Sequence, residues 1–274
     1  MGGEGIRIGA LYRYPLKSGR GSALERGTVG VGGLEGDRQW MLVNARGVFL
    51  SQRSHPQMAR IVPSLTADTI RFACAGLPEL VLARDHPGDK VEVSVWDNPC
   101  LAIEQGAAAH EWVSRAVGEA VRLVRVAADS PRITSPRWAG ALAGPLAFAD
   151  GFPLLICNAA SLADLNPRLP EPIPMERFRP NVVITGLAPW AEDRIESLRC
   201  GPLTLKLVKP CTRCSIPSVD HESGAASTNP IPALKQFRFD RALRGVTFGE
   251  NAVLEGAGGE LSVGSALSVQ WKAA

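Results

Sequence analysis

Glycine and proline punctuate this chain from end to end, and that punctuation most constrains what it can build. The 28 glycines and 21 prolines are spread over 274 residues instead of being gathered in one tract, a distribution that suits many short strands joined by turns. Between these breaks, residues 38–44 (RQWMLVN), 90–95 (KVEVSV), 181–185 (NVVIT) and 203–208 (LTLKLV) read as strands. A further strand-like run at 261–270 (LSVGSALSVQ) is broken by a turn at Gly264 and Ser265.

Helical patterns are few. Residues 106–118 place Ala109, Trp112, Val113, Ala116 and Val117 on one face, the spacing of an amphipathic helix. A second candidate spans 160–168, with Ser161 followed three residues later by Asp164 near its start. A third spans 230–244, with Leu234, Phe237 and Leu243 turned inward. Residues 127–144 carry Ser-Pro steps at 130–131 and 135–136 among small residues and read as a loop between two parts of the chain. The expectation is a mostly β architecture with a few helices (α+β), barrel-like, in two unequal domains at 1–126 and 127–274.

A chain of 274 residues with 45% hydrophobic and 21% charged residues is long enough to bury a core without disulfide or zinc staples. The formal net charge of +3 is too small to argue for a nucleic-acid or membrane partner, and neither is expected. Recognition of an anion must come from individually placed Arg and Lys side chains. No run reaches the roughly 18 apolar residues that a membrane helix needs. The first 14 residues are interrupted by Arg7 and lack a small-residue cleavage site. The expected location is the cytoplasm, with reduced thiols.

Six cysteines occur, and Cys74, Cys100 and Cys157 sit in apolar or strand-like surroundings that suit buried free thiols. The sharpest signal is KPCTRCSIPSVD at 209–220, which follows a strand. Its C-x-x-C pair has three readings. Half of a zinc site lacks a second pair, and the four histidines are widely spaced. A thioredoxin-like redox pair wants a helix start, which Pro217 disfavours. Two plain loop cysteines are the remaining reading. Lys209 and Arg213 flank the pair, and cationic neighbours favour the thiolate, a donor for soft metals. One cysteine cannot hold a metal alone, so a metal here would bring its other ligands in a cofactor.

Seven segments in order resemble the MOSC family, in its amidoxime-reducing branch with an N-terminal β-domain. They are YPLKSGRG (14–21), GLEGDRQWMLV (33–43), SQRSHPQMARI (51–61), FADGFPLLI with ASLADLN (148–166), ERFRPNVVITG (176–186), KPCTRCSIPSVD and FGENAVLE (248–255). The resemblance implies a MOSC β-barrel packed with an N-terminal β-rich domain, and a Mo-molybdopterin cofactor whose molybdenum is held by one cysteine. That cysteine corresponds to Cys214, and Cys211 need not bind metal. Lys17, Ser18, Arg38 and Arg179 match positions that hold the cofactor's phosphate and pterin, and Asp150, Gly151, Thr212 and Arg213 match further cofactor contacts. Asn251 aligns beside the metal, and Asp220 is a candidate for proton handling.

The residue types suit that role, since arginine offers forked, charge-assisted donors to phosphate. Each also has a plainer reading. Lys17 could be a solvated lysine, Arg38 a strand-edge charge, Arg179 a loop cation, Asp150 a cap and Asp220 an Asx turn beside Gly224. The implied activity is reduction of N-hydroxylated compounds such as amidoximes, hydroxylamines and N-hydroxylated bases. No cysteine follows Cys214, so the expected electron source is a separate protein, a ferredoxin-type or haem carrier with a reductase. Two alternatives stay open: a persulfide-handling sulfur transferase, and a non-catalytic carrier of the molybdenum cofactor.

Overall fold

The computed structural model describes residues 5–273. Its largest sheet runs through Ser268–Trp271, Ile195–Cys200, Leu203–Thr212, Gly245–Glu255, Leu154–Asn158, Val182–Thr185, Arg7–Arg13 and Ser22–Leu24. Leu154–Asn158 and Val182–Thr185 pair in parallel, which requires a crossover, and the helix Ala159–Leu165 lies on it. The ends of the sheet meet. Ile8 N–H donates to Ser265 O at 3.0 Å and Leu267 N–H to Ile6 O at 2.8 Å, so the approach to the last strand closes against the first as in a barrel. Leu203, Leu205 and Leu207 alternate into its interior, where they meet Ala252, Leu254 and Ile8.

A second body holds the sheet Trp40–Val43, Arg122–Val126, Asn98–Glu104 and Lys90–Val95, and a smaller one of Val62–Leu65, Thr69–Ala73 and Leu80–Ala83. The helix Ala107–Val117 buries Ala109, Trp112, Val113 and Val117 against Trp40, Phe72 and Leu123. It stops where Gly118 turns left-handed (φ 82°) and its N–H reaches Ser114 O at 2.8 Å. The molecule is thus mostly β with short helices, as the sequence indicates. No helix among the described residues is long and apolar enough to cross a membrane.

Several elements differ from their sequence patterns. The strand expected at 203–208 continues to Thr212. The second helix starts at Ala159, with the Asn158 side chain accepting Ala160 N–H at 3.1 Å. Ser161 is buried and donates to Glu192 at 2.6 Å instead of sitting at the helix start. The third helix covers only Ile231–Lys235. Beyond it the chain pairs Phe239–Asp240 with the long strand Gly245–Glu255, and Asp240 Oδ1 accepts Leu243 N–H at 2.8 Å. Leu234 is buried, but Phe237 is 39% exposed, meeting Trp190 edge-on under the Arg168 guanidinium.

Strand pairing crosses the expected boundary at residue 126. Arg7–Arg13 and Ser22–Leu24 belong to the barrel sheet, and Arg26–Gly30 pairs with Gly259–Ser262. The physical reason is that backbone groups of the first strand need partners, and they find them in the second half of the chain. Residues 14–18 then run beside 38–40, with Arg38 N–H on Tyr14 O and Lys17 N–H on Trp40 O, both at 2.8 Å. The chain crosses between the bodies at this point.

Candidate functional site

Three non-glycine residues in the left-handed region gather at that crossing: Ser18 (φ 64°), Arg38 (φ 48°) and Arg179 (φ 60°). Each costs about 1–2 kcal/mol, and such strain persists where the surroundings over-determine it. Here they do. The Arg38 and Arg179 guanidiniums lie 4.4 and 4.3 Å from the centroid of the buried Tyr14 ring. Arg179 donates to Gly19 O at 2.5 Å, and Arg38 donates to Arg179 O at 3.1 Å. Asp37, also buried, accepts from Arg38 and takes Tyr14 N–H at 2.8 Å. Burial, followed by the neighbouring Arg38 charge, pulls the Arg179 guanidinium down to about 10.

Ser18, Arg38 and Arg179 line a cavity of about 280 Å³. Six cations face it (Lys17, Arg38, Arg53, Arg179, Lys209 and Arg213), against Asp150 as the one carboxylate of the lining. Lys17 is buried, and its ammonium donates to Phe148 O at 2.8 Å and to Asp150 Oδ1 at 2.6 Å. Burial lowers the Lys17 pKa while Asp150 counters it. Desolvation acts to raise Asp150, but Lys17, Trp96 and Arg53 outweigh it and hold the carboxyl well below its usual range.

The opposite side of the cavity comes from the strand Leu203–Thr212. Its register against Gly245–Glu255 shifts between Leu207 and Lys209 and again between Pro210 and Thr212. Bulges of this kind re-aim side chains, and here Lys209, Cys211 and Thr212 all reach the cavity. Arg213 follows and donates to Cys211 Sγ at 3.0 Å and to Phe178 O at 2.7 Å. Burial opposes its charge, but the sulfurs of Cys211, Cys157 and Cys214 leave the Arg213 pKa raised. Cys211 and Cys214 are both half-buried free thiols on the lining. Asn251 donates to Lys209 O at 3.2 Å.

Among the described residues, no group of three or more His, Cys, Asp or Glu side chains could hold a metal ion. The zinc reading of the C-x-x-C pair therefore lacks its other ligands. Nor does the pair open a helix: Cys211 lies in a strand and Cys214 precedes the short 3-10 turn Ile216–Ser218. Thiols beside crowded cations, with no further side-chain ligands grouped around them among the described residues, suit a metal that arrives with its remaining donors on an anionic organic molecule.

Residues 5–120 match the MOSC N-terminal beta barrel domain and residues 143–268 match the MOSC domain. The chain belongs to the MOSC family. It is 31% identical over 268 residues to mitochondrial amidoxime-reducing component 1 of Homo sapiens, covering 92% of this chain and 79% of that protein. It is 29% identical to mitochondrial amidoxime reducing component 2 of the same species, over 84% of this chain and 72% of that protein. A molybdenum cofactor sulfurase of Danio rerio is 25% identical, and the match spans 96% of this chain but 34% of that larger protein.

In this MOSC chain, ten of the eleven residues singled out from sequence line the one cavity: Lys17, Ser18, Arg38, Asp150, Gly151, Arg179, Thr212, Arg213, Cys214 and Asn251. Asp220 does not. Its Oδ1 accepts the N–H of Glu222 at 3.2 Å and of Ser223 at 2.9 Å, the Asx turn of its plainer reading, while Oδ2 holds Arg177 at 2.8 Å. The Ser223 hydrogen bonds, with Arg177, hold Asp220 down to about 2.

The structure adds residues that sequence reasoning passed over. Arg53 and Phe49 line the cavity. Buried Gln52 donates to Ser18 O at 2.8 Å. Buried Arg132 donates to the carbonyls of Ala147, Ala149 and Asp150, fixing the loop that carries Asp150. Gln52 and Arg53 lay inside the SQRSHPQ segment, so closer weight on that motif could have found them. Arg132 carried no signal within its Ser-Pro-rich loop.

Proposed function

We propose that this MOSC chain is a molybdenum-cofactor oxidoreductase that reduces N-hydroxylated compounds (amidoximes, hydroxylamines and N-hydroxylated bases), with electrons from a separate carrier protein. The observation that carries the reading is Cys214, a half-buried thiol next to Arg213 on a cavity lined by six cations. Mo-molybdopterin has the matching chemistry, a phosphate that needs cationic donors and a metal that takes one more sulfur. When bound, it supplies the two-electron chemistry that removes the oxygen of an N–O bond.

The protein's part is binding, orientation and charge. Arg38, Arg179, Ser18 and Lys17 receive the phosphate and pterin, and the αL backbone at the first three pre-sets their directions before anything binds. Thr212, Asp150 and Gly151 complete the contacts. Arg213 is fixed by Phe178 O and Cys211, and its positive charge shares the cavity wall with Cys214. Asn251, with its Nδ2–H on Lys209 O, keeps its Oδ1 as an acceptor for a substrate N–H or O–H.

The test is metal analysis and electron paramagnetic resonance on protein purified from a cofactor-competent host, paired with benzamidoxime reduction by a reduced dye. Molybdenum, a Mo(V) signal and turnover are expected in the wild type, and Cys214→Ser is expected to lose turnover and change the signal. Wild-type turnover in that variant would refute the ligand assignment. The presence of Cys211 on the same wall favours one competing reading, a sulfur-carrying thiol. A persulfide on Cys214 in protein free of molybdenum would establish that alternative, and cofactor-loaded protein without turnover of any N-hydroxy substrate would make the chain a carrier.

A further inference from the structure

The strands Lys90–Val95 and Asn98–Glu104 are joined by a two-residue tip, Trp96 and Asp97. Trp96 holds φ at 56°, a conformation that tight hairpin loops normally give to Gly, Asn or Asp and that a bulky side chain rarely adopts. The strained tip holds the indole against the cavity. Its Nε1–H donates to Asp150 Oδ1 at 3.2 Å, the Arg53 guanidinium lies 4.1 Å from its centroid, and Phe49 meets it edge-on at 5.1 Å. Phe49, Arg53 and Asp150 all line the cavity, and Asp150 in turn holds Lys17.

Depth separates two sets of groups. Lys17, Ser18 and Arg179 are 5–8% exposed, the desolvated environment in which an anion gains most from cations. Trp96 is 44% exposed, and Arg53 is exposed as well. A molecule arriving from solvent meets an aromatic ring, a planar guanidinium and a second ring edge. Those surfaces attract flat, conjugated molecules by stacking and cation–π contact and offer little to a small saturated one.

We propose that Trp96, with Arg53 and Phe49, forms a specificity-determining wall at the mouth of the cavity that selects flat, conjugated N-hydroxylated substrates over small non-aromatic ones. The proposal rests on the reductase reading above and names which substrates that site prefers. Trp96→Gly is the informative variant, because glycine adopts a positive φ without strain, so the ring is lost while the fold is relieved. Its thermal midpoint is expected at or above that of the wild type.

The experiment compares cofactor-loaded wild type, Trp96→Gly and Arg53→Ala. It records molybdenum content, kcat/KM for benzamidoxime and for hydroxylamine, and benzamidoxime binding by equilibrium dialysis. In Trp96→Gly the benzamidoxime-to-hydroxylamine ratio of kcat/KM is expected to fall about tenfold, mostly through KM, with binding weakened to match. Arg53→Ala should move the ratio the same way by about threefold. Molybdenum content in Trp96→Gly should stay at the wild-type level.

An unchanged ratio in both variants overturns the wall, and so does a loss of molybdenum in Trp96→Gly, which would place the ring at the cofactor instead. If the wild type reduces neither compound, the reductase reading fails on its own, and dialysis then decides the wall. Binding to the wild type that weakens in Trp96→Gly supports it; equal binding, or none to the wild type, overturns it.

Discussion

Asp37 is a buried carboxylate with two partners. It takes Tyr14 N–H at 2.8 Å and pairs with Arg38, so one side chain both anchors the segment before Lys17 and balances a guanidinium stacked on Tyr14. Removing one member of a buried ion pair strands the other charge, and Asp37→Ala should cost about 3 kcal/mol in urea unfolding. A loss below about 1 kcal/mol would mean the pair is far more solvated than its burial indicates. Little of this residue-level detail was legible beforehand. Arg38 stood out by its motif, but its φ of 48° and its stack depend on Arg179, whose own carbonyl it binds across 141 residues. Asp220 shows the converse: motif position singled it out, while its local turn and Arg177 give it other work.

Elements were read best where one local period decides them. The strand Lys90–Val95 and the helix Ala107–Val117 match their patterns because alternation in the one and apolar spacing in the other need no distant partner. Bulges are different, since they are set by how two strands fit together. Gly249 (φ 75°) lies at the register shift of Gly245–Glu255, where a Cβ would sit 2.6 Å from Cys157 Sγ and 2.8 Å from Ile156 O. Gly249→Ala should therefore cost about 3 kcal/mol, combining overpacking with a left-handed backbone. It should also displace Asn251 and Cys211 on the cavity wall. Gly118→Ala is the control: its φ is 82° but nothing lies within 4 Å, so only the backbone cost of about 1 kcal/mol applies. Equal losses in the two variants, measured by thermal unfolding, would contradict the close contact at Gly249.

At the scale of the molecule, Glu250 makes folding pH-dependent. Both of its side-chain oxygens are buried without a hydrogen-bond partner among the described residues, and burial pushes the carboxyl up to about 8 from an ordinary 4.5. Between those values the folded chain keeps a proton that the unfolded chain has released. Stability therefore falls as pH rises through this window, by up to about 1.4 kcal/mol per pH unit. Burial and the nearby arginines push His221 down to about 4 from an ordinary 6.5, so it partly opposes that slope near pH 6.5, where the unfolded chain still binds its proton, and ceases to as pH approaches 8. Urea midpoints should drop from pH 6.5 to 8 in the wild type and stay nearly level in Glu250→Gln. A wild-type midpoint that holds constant over that range would show the carboxyl is hydrated and ionised.

The amino-acid sequence by itself determined the β-rich character, the main elements, the family through its ordered motifs, and the thiol at Cys214, because each depends on short-range spacing or on residue type. Tertiary structure alone decided that the first strand closes the barrel of the second half, and that a cavity forms where the two bodies meet. It also decided that Arg53 and Phe49 line that cavity while Asp220 lies outside its lining. Those outcomes rest on contacts such as Lys17 with Asp150 and Arg179 with Gly19, 133 and 160 residues apart. Pairings at such separations follow from how all the strands satisfy their backbone groups and apolar faces at once.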